Sequence, residues 1–254
     1  MKGFMEKLSF RPIFTLAGMC ATIWLTGCAN AYIPPSGRAD FSAFTGSSMK
    51  ESFAAKPAAI FPANIAVARI QASLYRNYFT EREGGVYGQG RYSVITAKEL
   101  GEDEVLSEIA KLPEIGGLTG ISTLLLPPHL QSDKELREAA ARLKADMLLL
   151  YTCDTSFHDN ERAVPLAVIS LGLSPTHQVS IHVTASALLI DTRTGFIYAT
   201  LESNEKRQLT TSAWQSSSSA DRARQMAEET AFKGLMAEFK KSWPQILLRA
   251  KQGA

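Results

Sequence analysis

The feature that most constrains what this chain can fold into is the period-two run Val179 to Ile190. Val179, Ile181, Val183, Ala185, Ala187 and Leu189 alternate with Ser180, His182, Thr184, Ser186, Leu188 and Ile190, which gives one apolar face and one mostly polar face. A period of two puts successive side chains on opposite faces of a pleated strand, so the run predicts a long strand with one face on a core. Asp191-Thr192-Arg193-Thr194-Gly195 follows, with a glycine for a positive-φ position. Phe196 to Glu202 then returns as the hairpin partner.

Other segments supply the rest of a sheet. Ile60 to Ile70 is rich in Ile, Val and Ala and predicts a first strand, with a short helix over Gln71 to Thr80. Arg91 to Ile95 predicts a second strand, and the glycines from Gly84 to Gly90 form a hairpin beside it. Leu106, Ile109 and Leu112 recur at helical spacing, and Ile121 to Leu126 reads as a further apolar strand. Ser132-Asp133-Lys134-Glu135 is a capping box, so a helix starts there with Leu136, Ala139, Ala140 and Leu143 as its apolar stripe. Met147 to Tyr151 is the continuous apolar run of a strand covered on both faces. A helix from about Asp221 to Phe239 is expected to bury Met226, Phe232, Leu235, Met236 and Phe239. This order predicts an α/β domain over residues 58–254: a single mixed sheet with helices packed on it and an antiparallel hairpin portion.

The amino terminus carries a different signal. Lys2, Lys7 and Arg11 stand against one acid, Glu6, and Ile13 to Leu25 is apolar apart from two threonines and a glycine. A basic start, a short apolar core and small residues behind it make a secretory signal peptide, and the core is too short for the roughly 20 residues of a spanning helix. Leu25, Thr26, Gly27 and Cys28 resemble the lipobox of bacterial lipoproteins. That resemblance implies cleavage after residue 27, acylation of Cys28 and attachment to a membrane through it. Cys20 follows the large Met19 and fits the pattern poorly. Ala29 stands where the family's sorting pattern places aspartate for inner-membrane retention, which implies the outer membrane, facing the periplasm. Residues 28–57, rich in Ala, Ser, Gly and Pro, read as a lipid-anchored flexible tether.

Charge and cysteine content narrow the function. Of 27 basic and 25 acidic residues, the signal removes three and one, which leaves 24 of each. A neutral chain without a basic stripe argues against nucleic acid. With Cys20 removed and Cys28 acylated, Cys153 is the only thiol left and no internal disulfide can form. Cys153 lies in an apolar run and reads as a small buried residue.

No catalytic residue is assigned, because G-x-S-x-G, H-E-x-x-H, paired C-x-x-C and phosphate-loop signatures are all missing from the sequence. Cys153, Asp154, His158 and Asp159 offer thiolate, imidazole and carboxylate near a strand end, a set that could bind zinc. His158-Asp159-Asn160 is read instead as a polar turn, and no metal or cofactor is assigned. His182 falls on the polar face of its strand, while His129 and His177 sit beside prolines in loops. The apolar insertion from Ala163 to Pro175, with Val164, Leu166, Val168, Ile169, Leu171 and Leu173, is unusual for a loop. It packs on the domain, meets a partner or touches the membrane.

Ile65-Ala66-Val67-Ala68 as an opening strand, Ala145 to Leu150 after a helix, and Ala187 to Gly195 before a return strand resemble an outer-membrane lipoprotein superfamily. Its members include the curli secretion channel lipoprotein (CsgG) and LpoB-type activators of peptidoglycan synthases. The resemblance implies binding and assembly without catalysis. This chain has one apolar insertion and no pair of amphipathic hairpins, a departure from the channel members. The leading expectation is a non-catalytic outer-membrane lipoprotein that binds another envelope protein or associates with itself. An oligomeric secretion-channel subunit is the alternative, followed by a metal-binding or hydrolytic periplasmic domain.

Overall fold

The structure, a computed structural model, describes residues 34–43, 49–161, 177–210 and 217–252. Its centre is one mixed, seven-stranded sheet in the order β2-β3-β1-β5-β6-β7, with β4 also paired to β1. The strands are β1 (Ala63–Ala72), β2 (Val86–Tyr87), β3 (Tyr92–Ile95), β4 (Ile115–Gly120), β5 (Met147–Glu161), β6 (His177–Asp191) and β7 (Ile197–Thr210). The helices are α1 (Met49–Ala54), α2 (Tyr78–Glu83), α3 (Glu102–Ile109), α4 (Asp133–Arg142) and α5 (Ser217–Gln252). The expected α/β class with helices on a single mixed sheet is what the chain forms.

Strand alternation sorts the core into two layers. Ile65, Val67, Leu149, Tyr151, Ile181 and Val183 face Phe232, Leu235, Phe239 and Trp243 of α5. Ala66, Ile70, Leu148, Leu150, Leu188 and Ile190 face Leu136, Ala139 and Ala140 of α4. β1 runs parallel to β4 and β5, and antiparallel to β3. β5, β6 and β7 are antiparallel along their length. The β6–β7 turn is tied by Asp191: Oδ1 accepts from Arg193 N (2.9 Å) and Thr194 N (3.0 Å), and Gly195 holds the left-handed position at φ +73°. Oδ2 of the same carboxylate accepts from the Tyr198 hydroxyl at 2.7 Å.

Several boundaries differ from the sequence reading, each for a local reason. Ile121 to Leu126 is not a strand: Thr123–Leu125 forms a 3₁₀ turn, with Ser122 Oγ accepting from Leu124 N. The strand in that region is β4, whose glycines let its backbone lie close to β1. A Cβ on Gly116 would meet Asn64 Oδ1 at 2.9 Å. The segment Gln71–Thr80 is not one helix, because β1 continues to Ala72 and Asn77 caps α2 from the other side. Met226 is 45% exposed, whereas its helix buries Ala223, Ala227 and Ala231. His177 opens β6 and is not in a loop.

The segment read as tether contacts the domain where it is described. Arg38 bridges Gln71, and Ala39 N donates to Thr152 Oγ1 at 3.0 Å. Tyr92 donates its hydroxyl to Asp40 O at 3.1 Å. The Gly and Pro content allowed an extended path here, and hydrogen bonds from the sheet pin it down.

Candidate functional site

The most concentrated chemistry among the described residues is a buried ion cluster that joins α5 to Arg69 of β1. Arg69 comes from β1, Glu99 from the loop before α3, and Asp221, Arg224 and Glu228 from one face of α5. Their spacing of three and four residues aligns them on the helix. Arg224 donates Nη2 to Glu99 (2.7 Å), Nη1 to Glu228 (2.7 Å) and Nε to Asp221 (2.8 Å). Arg69 donates Nη1 to Glu99 (2.9 Å) and Nη2 to Glu228 (3.0 Å). Four of these side chains, Arg69, Glu99, Arg224 and Glu228, are 0–1% exposed. Thr155 of β5 adds a hydroxyl donated to Glu228 Oε1 at 2.7 Å.

Burial alone would push the Glu99 carboxyl up, but the guanidinium groups of Arg69 and Arg224 override it and hold the carboxyl below its ordinary value. Burial lifts Asp221, and its bond to Arg224 opposes that only in part. Each guanidinium is engaged by carboxylates, Arg224 through all three nitrogens and Arg69 through Nη1 and Nη2, which leaves Arg69 Nε buried without a partner among the described residues. A groove of about 500 Å³ lined by Tyr78, Arg82, Asp221 and Gln225 opens beside it, and Asp221 is the cluster's member at that wall. The arrangement locks a helix to a sheet. The sequence signal was Asp221, Arg224 and Glu228 at helical spacing; Arg69 in an apolar strand was the second half of it.

The residues singled out as a zinc set do not converge. Cys153 faces the α5 layer and is 1% exposed, while Asp154 and His158 lie on the opposite face by strand alternation. Burial pushes the Cys153 thiol up to about 12, so it stays protonated. The polar turn read into His158-Asp159-Asn160 is also absent: these residues continue β5 and pair with β6. Among the described residues no group of three or more His, Cys, Asp or Glu is placed to hold a metal ion. His158 instead neighbours His182 across the β5–β6 pair, with ring centroids 4.8 Å apart. Leu25, Thr26, Gly27 and Cys28 lie outside the described residues, as do Val164, Leu166, Val168, Ile169, Leu171 and Leu173. No helix of the described residues is long and apolar enough to cross a membrane.

The strands that carry that insertion have a definite placement. Ala68 pairs with Leu150, so the end of β1 at Ala72 is level with Asp154, whereas β5 continues to Glu161 opposite His177. Seven residues at roughly 3.3 Å each carry β5 and β6 about 23 Å past β1. Ser36, which donates its backbone N–H to Arg76 O at 3.0 Å, sits at this same end of the sheet.

No family model matches the chain, and no curated protein matches it. Among solved structures it is similar to the crystal structure of a DUF330 protein from Xanthomonas campestris. The two share 10% identity at a TM-score of 0.38, over 87% of this chain and 99% of the other. A likeness this distant bears on neither mechanism nor partner.

Proposed function

We propose that the protein is a non-catalytic lipoprotein of the outer membrane, held through acylated Cys28, whose α/β domain binds another envelope protein through the apolar insertion Val164–Leu173. One observation carries the reading. The chain segment nearest Cys28, at Ser36, and the strand ends that bracket the insertion, Glu161 and His177, lie at one end of the sheet. A chain that enters the domain near Ser36, at the end of the sheet towards which β5 and β6 run out to Glu161 and His177, suits a domain that works beside the bilayer. The buried ion cluster supports the same reading from another direction, because its charged groups are committed to each other. The lipobox and the superfamily resemblance agree with assembly rather than turnover.

The test is photo-crosslinking in the intact envelope from probes at positions 166 and 169. Adducts with a defined envelope protein, lost when Cys28→Ser releases the chain from the membrane, are expected. Adducts with lipid alone, or none from a correctly folded protein, would overturn the assignment of a protein partner.

A further inference from the structure

β7 is the outer strand of the sheet, and among the described residues nothing pairs with its free side. It is fourteen residues long. A free edge of that length offers a row of backbone donors and acceptors, and such edges pair with another strand unless something blunts them. β7 contains no proline, and the register shift in its pairing with β6 lies near its start, at Ile190. Thr200, Glu202, Asn204, Lys206 and Gln208 are exposed along one face. Thr184 donates its hydroxyl to Asn204 Oδ1 at 2.6 Å, and Asn204 Nδ2 donates to Glu202 Oε1 at 3.3 Å, which sets the middle of the strand in place. Lys206 has no ion-pair partner among the described residues.

We infer that β7 pairs antiparallel with β7 of a second copy of this chain, about a two-fold axis through Asn204, so that two sheets join into one. The charge pattern selects both the occupant and the register. In an antiparallel pair related by a two-fold axis normal to the sheet, each residue faces one equally far on the other side of the axial residue. An axis at Glu202, Glu205, Lys206 or Arg207 puts like charges directly opposite, which disfavours pairing. An axis at Ser203 makes no charged pair. An axis at Asn204 sets Glu202 opposite Lys206 of the second copy, and Lys206 opposite its Glu202, with Asn204 facing itself. Opposite charges then meet twice and like charges never. α5 packs on β6 and β7 and so lies over one face, and among the described residues no strand pairs with the outer backbone edge of β7. The pairing involves none of the insertion residues and holds whether or not Cys28 carries lipid.

Two experiments on the full chain test it. Asn204→Cys places two thiols within the 4.5–5.5 Å Cα range of directly opposed residues, which suits a disulfide. Glu202→Cys places each thiol two residues from the axis, so the two thiols stand four residues apart along the paired strands, too far for a disulfide. Mild oxidation should give a covalent dimer rapidly from Asn204→Cys and not from Glu202→Cys, above the background of the parent chain. Glu202→Lys and Lys206→Glu should each weaken self-association by about tenfold or more, since two attractive pairs become repulsive. An equimolar mixture of the two variants should associate again, because a chain with two lysines then faces a chain with two glutamates. Equal cross-linking at both cysteine positions, or a mixture that associates no better than either variant alone, overturns the proposal.

Discussion

Replacing Arg224 by Met examines the buried ion cluster most sharply. The guanidinium is 0% exposed and bonds three carboxylates at 2.7–2.8 Å. Its removal leaves Glu99 and Glu228 inside the protein with Arg69 as their one remaining cation. Methionine fills most of the vacated volume, so the dominant loss is electrostatic. Removing one partner of a buried, hydrogen-bonded ion pair costs about 3–5 kcal/mol, because the stranded charge keeps its desolvation penalty. For a domain of this size that lowers Tm by about 6–20 °C. The assay is thermal and urea unfolding of the full chain followed by far-ultraviolet circular dichroism. Adding Glu228→Gln to Arg224→Met should recover part of the loss, since one stranded carboxylate is neutralised. A loss below about 1 kcal/mol for Arg224→Met, or no recovery in the double variant, would refute the argument that the cluster fixes α5 to the sheet.

Three other consequences follow from named contacts. Glu99 is held below its ordinary value of 4.5 in the folded state, so its contribution to stability is present above that value and is lost as pH falls through the depressed folded value. Unfolding measured between neutral and acidic pH should therefore lose part of its acid sensitivity in Glu99→Gln, and an unchanged slope would contradict this. Cys153, with its thiol pushed up to about 12, should resist alkylation in the folded protein at neutral pH and react on unfolding, as peptide-mapped mass spectrometry can read. Thr152→Val removes the acceptor for Ala39 N and the hydroxyl bonded to Gln71, so it should cost about 1 kcal/mol and expose residues 34–43 to limited proteolysis. Unaltered cleavage there would count against these contacts holding residues 34–43 to the sheet.

The antiparallel half of the sheet was legible because the run Val179–Ile190 keeps a period of two and Gly195 supplies the turn. Its mostly polar face is only partly outward, because Leu188 and Ile190 on that face pack in the layer under α4 and Ser180 is 1% exposed. The capping box also marked its helix correctly, with Ser132 N donating to Glu135 Oε2 at 3.1 Å. Elements set by tertiary contact were harder to read. β4 carries glycines where a strand usually carries branched side chains, and only its approach to β1 explains them. α5 runs through Pro244 to Gln252, because Trp243 before the proline and Ile246 and Ala250 after it enter the same core as Phe239. The ion cluster joins residues 155 positions apart in sequence, Arg69 and Arg224, which no local window can pair. The zinc set failed for the opposite reason: Cys153 and Asp154 are adjacent in sequence, and strand geometry sends adjacent side chains to opposite faces.

Intact-mass and amino-terminal peptide analysis of the protein recovered from its own envelope tests the central claim most directly. A chain that begins at Cys28, carries fatty acyl groups on that residue and lacks residues 1–27 is the predicted result. A chain that still begins at Met1, or an unmodified Cys28, would contradict it.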